Sequence, residues 1–434
     1  TILMPFNYSI KQIDTKKVVD GGFLIYDSLL FNVLGITQTH KLLESVSDFT
    51  NLINNADYTQ ISASITDSDL FLKELNNTST TSTKTDVRKI DFYFNFILDA
   101  LHYNYNIYLI NASTENNVYD VLSKYDLDYL VYDPLKTSIS AGLISEIKIK
   151  NIPILLNASL NQSAFRSIEN LYISNNSTDI NYQFDDFYPR SELTDTEFNQ
   201  LTYTICGVKR LKRYYGDENI SDDTEFSNTP YVLVPLISDA AGMMARSYAT
   251  NPWYTISGFV NGKMLNQTFS KINLPNIKFS EAVIPQTPVD VTFESPSKLY
   301  TSQIRGINSI LKISGPNGKE YFLSTDLSGV TSSENVIKQT FTYSNLYSYI
   351  ARNSKSIINE FRFELNSPEN RLLITRNLNN LLENIKRNGG IESYNVICNE
   401  INNTETTIAQ NVLIVDLSFK PIQSPSVINL NFTT

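Results

Sequence analysis

Apolar and polar residues alternate over residues 6–13, with Phe6, Tyr8 and Ile10 on one face and Asn7, Ser9 and Lys11 on the other. This is the period-two pattern of a half-buried strand. The chain closes on the same pattern, Ile428, Leu430 and Phe432 alternating with Asn429 and Asn431. Between Leu43 and Asp86 the text turns polar, and its Ser- and Thr-rich stretch at residues 76–84 reads as a surface loop between short elements. From Tyr105 to Leu160 it becomes regular: apolar runs at residues 107–110, 129–132 and 152–156 are separated by helix-like residues 118–125 and 138–148. That order predicts parallel strands joined by crossover helices.

The clearest helix is predicted over residues 368–388. Ser367 can cap it, Pro368 fits its first turn, Glu369 suits the positive end, and Gly389-Gly390 stops it after Lys386 and Arg387. Ile374, Leu378, Leu381 and Ile385 form its apolar stripe, with Leu382 at the edge, while Arg376, Asn380, Glu383 and Arg387 point the other way. A helix over residues 345–361 precedes it, and strands at residues 394–398 and 413–419 follow. Gly315-Pro316-Asn317-Gly318-Lys319 lacks the spacing of a phosphate loop and, between two apolar runs, reads as a hairpin turn.

With 434 residues the chain is long enough for two or three domains, and 41% hydrophobic against 18% charged residues marks it as folded. The net charge of −10 lies entirely in residues 1–340; residues 341–434 hold eight cations and eight carboxylates. Such a balance disfavours nucleic acid as a partner. No apolar run approaches the ~18 residues of a membrane span and no charged-then-apolar leader opens the sequence, so the expectation is a soluble chain without an export signal. Cys206 and Cys398 read as reduced and buried, with a single disulfide as the alternative. The only two histidines, His40 and His102, make a multi-histidine metal site impossible. The acid pairs Asp185-Asp186 and Asp222-Asp223 diverge as adjacent side chains and suit solvent better than a glycosidase pair.

The ordered set of C-terminal motifs resembles the contractile tail sheath proteins of bacteriophages and related injection machines. It begins with Val234-Pro235-Leu236-Ile237-Ser238-Asp239-Ala240-Ala241-Gly242, Arg246, Asn251-Pro252-Trp253 and Gly258. It continues through Leu299-Tyr300, Arg305-Gly306-Ile307-Asn308, Gly318-Lys319-Glu320-Tyr321-Phe322 and Phe361-Arg362-Phe363-Glu364-Leu365-Asn366. The long helix, Tyr394-Asn395-Val396-Ile397-Cys398-Asn399, Asn402-Asn403-Thr404 and a final strand before Lys420-Pro421 complete it. Ser257-Gly258 stands where the family often has Ala-Gly.

The resemblance implies an α+β, multidomain fold. An N-terminal strand arm occupies residues 1–20, a variable α/β outer body residues 21–300, a conserved inner sheath domain residues 301–421, and a C-terminal strand arm residues 422–434. It implies a structural subunit, not an enzyme, with no cofactor, metal or catalytic residue. The subunit would polymerise around a tail tube and contract to drive the tube through a cell envelope, as part of a virion assembled in the host cytoplasm. A bacteriocin-like or secretion-type injection sheath, and further off a tail fibre, are the alternatives. Implied partners are further copies in stacked, hexameric rings, the tube protein, and baseplate and terminator proteins; nucleic acid and membrane are not among them. Phe6, Tyr8, Ile10, Ile428, Leu430 and Phe432 would carry strand exchange between copies, and Arg376, Arg387 and the marginal Lys386 would face the tube.

Overall fold

The computed structural model describes residues 19–75, 82–136, 138–157, 159–160, 187–188, 195–205, 208–212, 231–264, 306–308, 310–315, 318–323, 325–330 and 339–422. The expected arm residues Phe6, Tyr8, Ile10, Ile428, Leu430 and Phe432 lie outside these, as does Cys206.

Alternate residues of the central strands feed two different cores. β1 (Asp20–Ile25) lies between β3 (Asn106–Asn111) and β4 (Tyr129–Tyr132), parallel to both. β2 (His40–Leu43) runs antiparallel beyond β3, and β5 (Ile154–Asn157), β8 (Thr202–Ile205) and β11 (Ile307–Asn308) continue in parallel beyond β4. The seven-stranded order is β11-β8-β5-β4-β1-β3-β2. Phe23, Val131 and Leu155 enter one cluster, whereas Leu24, Leu130, Tyr132, Ile154 and Leu156 enter the other. Both faces are covered, so these strands appear in sequence as unbroken apolar runs. The parallel α/β unit matches the expectation, and α5 (Glu115–Lys124) and α6 (Ala141–Lys150) supply Val118, Val121, Leu143 and Ile147 to the second cluster.

The other face carries helices from the polar part of the sequence. After the short α1 (Ser28–Val33), α2 (Val46–Asn54) starts with a reciprocal Ser45–Asp48 capping box, followed by α3 (Ser68–Leu75). Their sparse apolar residues fall four apart, Phe49 with Ile53 and Phe71 with Leu75, and all four join the main core. The polar text from residue 43 to 75 hides these helices because one buried residue per turn suffices when the rest of the helix faces water; of the loop expected at residues 76–84, residues 76–81 lie outside the described ones. α4 (Ser82–Leu101) begins inside the Ser/Thr-rich stretch, and every residue from Ile90 to Leu101 is buried. Its polar members are partnered within the core: Asn95 Nδ2 donates to Asp91 O at 2.7 Å and Asp99 Oδ2 accepts from Ser238 Oγ at 2.6 Å. Ser238 belongs to α8 (Ile237–Thr250), which packs on α4. A Cβ on Gly242 of α8 would stand 2.0 Å from the Tyr103 ring, so only glycine admits that approach.

Short pieces complete the body: α7 (Thr196–Gln200), α9 (Gly258–Asn261), the two-residue ladder of β6 (Ser159–Leu160) with β7 (Phe187–Tyr188), and the pair β9 (Val208–Lys212) and β10 (Tyr231–Pro235). The hairpin expected around Gly315 is present as β12 (Ile310–Gly315) and β13 (Gly318–Leu323), paired through Gly315 and Gly318. Because Ile307–Asn308 pair with β8, these residues share the sheet of the body. The sequence reading had placed them in the inner domain. Asn308 fastens them: its Nδ2 donates to Thr204 O and Leu327 O, and its Oδ1 accepts from Leu327 N and Thr325 Oγ1.

Two long helices, α10 (Phe341–Asn359) and α11 (Pro368–Arg387), pack on a hairpin of β14 (Ile391–Ile397) and β15 (Asp416–Pro421), with α12 (Glu405–Ala409) between the strands. Ser367 Oγ accepts from Asn370 N as the N-cap of α11, and Pro368, Glu369, Lys386 and Arg387 occupy the expected ends. The buried stripe is Ile374, Leu378, Leu382 and Ile385, with Leu381 only half-buried. Leu381 and Leu382 thus exchange the roles read from sequence, since Leu346 and Ile350 of α10 and Ile391 of β14 cluster around Leu382.

Candidate functional site

α10 is shared between the two parts of the molecule. Its first residue, Phe341, lies in the core of the body with its ring 4.8 Å from Tyr203, and Asn345 Oδ1 accepts from Tyr248 at 3.3 Å. Further along, Leu346 and Ile350 belong to the core of the C-terminal domain, together with Trp253 from the body. The Trp253 indole donates to Asn388 O at 3.1 Å, and a Cβ on Gly390 would stand 2.6 Å from Ile385 and 3.0 Å from Trp253. Glycine at position 390 therefore both follows the helix end and makes room for the joint.

The α10 N-terminus is capped from outside the helix. Thr340 makes no side-chain cap bond; instead the Asp326 carboxylate accepts from Thr342 N at 3.3 Å and from the Thr342 hydroxyl. Burial pushes the Asp326 carboxyl up to about 6, the Thr342 bonds opposing the shift. Near the other end of α10, Arg352 Nη1 donates to Leu127 O at 2.7 Å and meets Asp126 at 3.3 Å, while Nη2 stands 4.0 Å from Asp128. Asp128 is buried and accepts from Asp20 N at 3.1 Å, where β1 begins. One carboxylate thus links the start of the sheet to the C-terminal domain.

The outer face of α11 carries the sequence-chosen cations. Arg376, Lys386 and Arg387 are all exposed, and Arg376 and Arg387 lie on the same side about three turns apart. Arg387 Nε pairs with Glu383 at 3.2 Å, and Glu383 also accepts from Tyr394 at 3.1 Å, so part of that positive charge is neutralised within the helix. Arg371, which sequence reasoning only counted among the cations, is buried: it donates to Asn366 O and Oδ1 and pairs with Glu400 at 2.9 Å. It fixes the α10–α11 loop to the segment after β14. The available signal was its spacing, one turn before Ile374 on the buried stripe.

β14 and β15 pair only with each other among the described residues. Tyr394, Val396, Leu417 and Phe419 face the helices, while Glu392, Asn395, Ser418 and Lys420 are exposed on the other side. Each strand therefore offers a second edge with no strand on it among the described residues, a template for main-chain hydrogen bonds. β14 is not blunted by proline, and its length of seven residues suits an added strand.

The remaining titratable candidates are tied into structure. Asp133, at the point where strand order reverses between β3 and β4, accepts from Tyr26 N, Leu135 N and the Tyr93 hydroxyl, and burial pushes its carboxyl up. In α/β folds this is the usual ligand crevice, and here the carboxylate holds loops together. His40 lies on β2 with its ring 4.8 Å from that of Tyr125, and burial pushes its imidazole down. His102 Nδ1 lies 2.6 Å from Leu98 O at the end of α4. Cys398 is a free, buried thiol raised by burial. Among the described residues no three His, Cys, Asp or Glu gather as a metal set, and no helix is long and apolar enough to cross a membrane.

Residues 338–434, a range that includes the two helices and the hairpin, match the family described as phage tail sheath C-terminal domain. This C-terminal region is similar to phage tail sheath proteins. The sheath likeness extends upstream: the chain is 26% identical over 242 residues to the tail sheath protein of Enterobacteria phage T4, covering 55% of this chain and 31% of that protein. The tail sheath protein of Vibrio phage KVP40 is 25% identical over 202 residues, 46% of this chain and 26% of the relative. The matched stretch thus spans about a third or less of these sheath proteins' own length. Two solved chains share the whole fold. One comes from the contracted sheath complex of an extracellular contractile injection system, PVC, at TM-score 0.56 and 12% identity, covering 100% of this chain and 98% of that one. The other comes from the baseplate of the anti-feeding prophage, at TM-score 0.54 and 11% identity, covering 100% and 99%.

Proposed function

We propose that this chain is the structural subunit of a contractile tail sheath, polymerising around a tail tube and contracting to drive the tube through a cell envelope. The observation that carries the reading is the C-terminal unit that matches the sheath family, with a hairpin whose outer edges carry no strand among the described residues. A sheath needs links that survive large movements of its subunits, and added strands supply them through main-chain hydrogen bonds. Residues 1–20 and 422–434 are the segments proposed to add those strands to neighbouring copies, through Phe6, Tyr8 and Ile10 and through Ile428, Leu430 and Phe432. Both curated relatives are phage proteins, which favours a virion tail over a free injection system. On this reading the chain acts without catalysis, in stacked rings of six, with tube, baseplate and terminator proteins as partners, and assembles in the host cytoplasm.

Deleting residues 1–18 or 423–434 should leave a folded monomer that no longer forms sleeves in negative stain; truncated chains that still form normal sleeves would overturn the strand-exchange assignment. For tube contact we propose the outer face of α11, with Arg376 and Arg387 central and Lys386 at its margin. Because Arg387 already shares its charge with Glu383, Arg376 carries the larger part. Arg376→Glu should spare the fold and tube-free polymers while weakening extended assembly on tubes. Unchanged yield and salt sensitivity on tubes would remove α11 from that interface.

A further inference from the structure

The C-terminal domain has two ends of different chemistry. At one, the loop between α10 and α11 exposes Phe363 at 95% and Leu365 at 80%, and Leu372 on the first turns of α11 at 70%. Phe363 sits at φ 73°, a left-handed conformation that penalises a bulky aromatic. The loop is nevertheless fixed: Asn370 Nδ2 donates to Leu365 O at 2.8 Å, Asn366 Nδ2 to Val412 O at 3.2 Å, and Arg371 anchors Asn366 from below. Glu360, Glu364 and Glu369 are exposed around it, and the nearby exposed cation, Arg362, lies over the Phe363 ring at 5.3 Å. A rigid, strained, apolar tip in an acidic setting is built to be covered.

The opposite end lies about 30 Å away along α11. There Lys386 and Arg387 are exposed beside two apolar side chains, Ile422, whose N–H donates to Gly390 O, and Tyr254, next to the Trp253 that donates to Asn388 O. Lys420 adds a third cation, paired with Glu392 at 2.6 Å. Apolar groups thus occur at both ends, with net negative charge at one and, beyond the Arg387–Glu383 and Lys420–Glu392 pairs, the excess cation Lys386 at the other.

We propose that the acidic apolar tip of one copy docks on the basic end of the next copy's C-terminal domain. The occupant is a second copy because the surface of complementary charge is on this same domain. Two different patches at opposite ends make a heterologous contact, which does not close on itself in a pair and so propagates along a polymer. It requires neither the strand arms nor a tube, and stands beside the proposed function as a separate contact between sheath subunits.

The test uses the purified full chain without tube, followed by sedimentation velocity and negative-stain microscopy. Glu360→Lys with Glu364→Lys at the tip, and Lys386→Glu with Arg387→Glu at the other end, should each raise the concentration needed for polymers by about tenfold or more. An equimolar mixture of the two should recover near wild-type assembly, since reversed tip then meets reversed end. Phe363→Gly should hold or raise the melting temperature, through relief of the left-handed strain, while assembly falls. Normal polymers from the reversed chains, a mixture that does not recover, or undiminished assembly of Phe363→Gly would each overturn the contact and leave the sheath reading intact. Tip variants that lose only binding to an added tube would overturn it in favour of the tube. A wild-type chain that never polymerises would overturn both.

Discussion

The α/β body hides its large apolar side chains and the C-terminal domain displays them. Of eleven large hydrophobic residues exposed among the described residues, eight fall between Phe363 and Ile422. In the body, α4 is buried on all sides from Ile90 to Leu101 and both faces of the sheet are covered. In the C-terminal domain a single layer of two helices meets a two-stranded hairpin whose other face is wet. A two-stranded sheet is marginal alone, and the small clusters around Ile374 and Leu382 are what α10 and α11 provide. The body closes both faces of its sheet within one chain, whereas the C-terminal hairpin has no further strand on its edges among the described residues.

That contrast can be broken most forcefully at Phe341, the α10 residue that belongs to the body. Phe341→Ala should cost about 3–5 kcal/mol in denaturant unfolding, a loss typical of a large core. A cost near zero would mean that α10 is not part of the body's core. Arg352→Met, next in size, removes the donation to Leu127 O and leaves Asp128 without its nearby cation. We expect a loss of about 2 kcal/mol, and a calorimetric trace that splits as the C-terminal domain uncouples; a single unshifted transition would show that Trp253 alone makes the joint.

The smallest effect sharpens the contrast through pH. The Asp326 carboxyl is raised from 3.8 to about 6 by burial, so the folded state binds its proton more tightly than the unfolded chain. Its stabilising contribution is full below pH 4 and is lost as pH rises through about 6. Between pH 7 and pH 5 the wild-type chain should therefore gain about 1 kcal/mol from this group, and Asp326→Asn should flatten that part of the profile. An equal gain in the Asn variant would assign the pH dependence to other carboxylates.

Regular repetition decided what could be read from sequence. The β3-to-β5 stretch was legible because each apolar run is short and each intervening helix has one apolar face. α11 was legible because cap, proline, stripe and stop signals all agree. α4 was not, because Asp91, Asn95 and Asp99 interrupt its apolar pattern and look like a wet face, although Asp99 accepts from Ser238 and Asn95 donates to the helix backbone. The strand Asp20–Ile25 was obscured by Gly21 and Gly22, which mimic a turn. At the site, sequence gave the outward direction of Arg376 and Arg387, but the burial of Arg371 and the exposure of Phe363 depend on partners dozens of residues away, Glu400 and Val412.

The shared helix has a mechanical meaning. With 19 residues α10 is about 28 Å long, rooted in one part of the molecule and loaded at the other. A tilt of about 10° at its root would sweep its far end through about 5 Å, the lateral spacing of two strands. Trp253, Arg352 and Asp326 tie this helix to the body at three points along its length, so any such tilt has to strain all three contacts together.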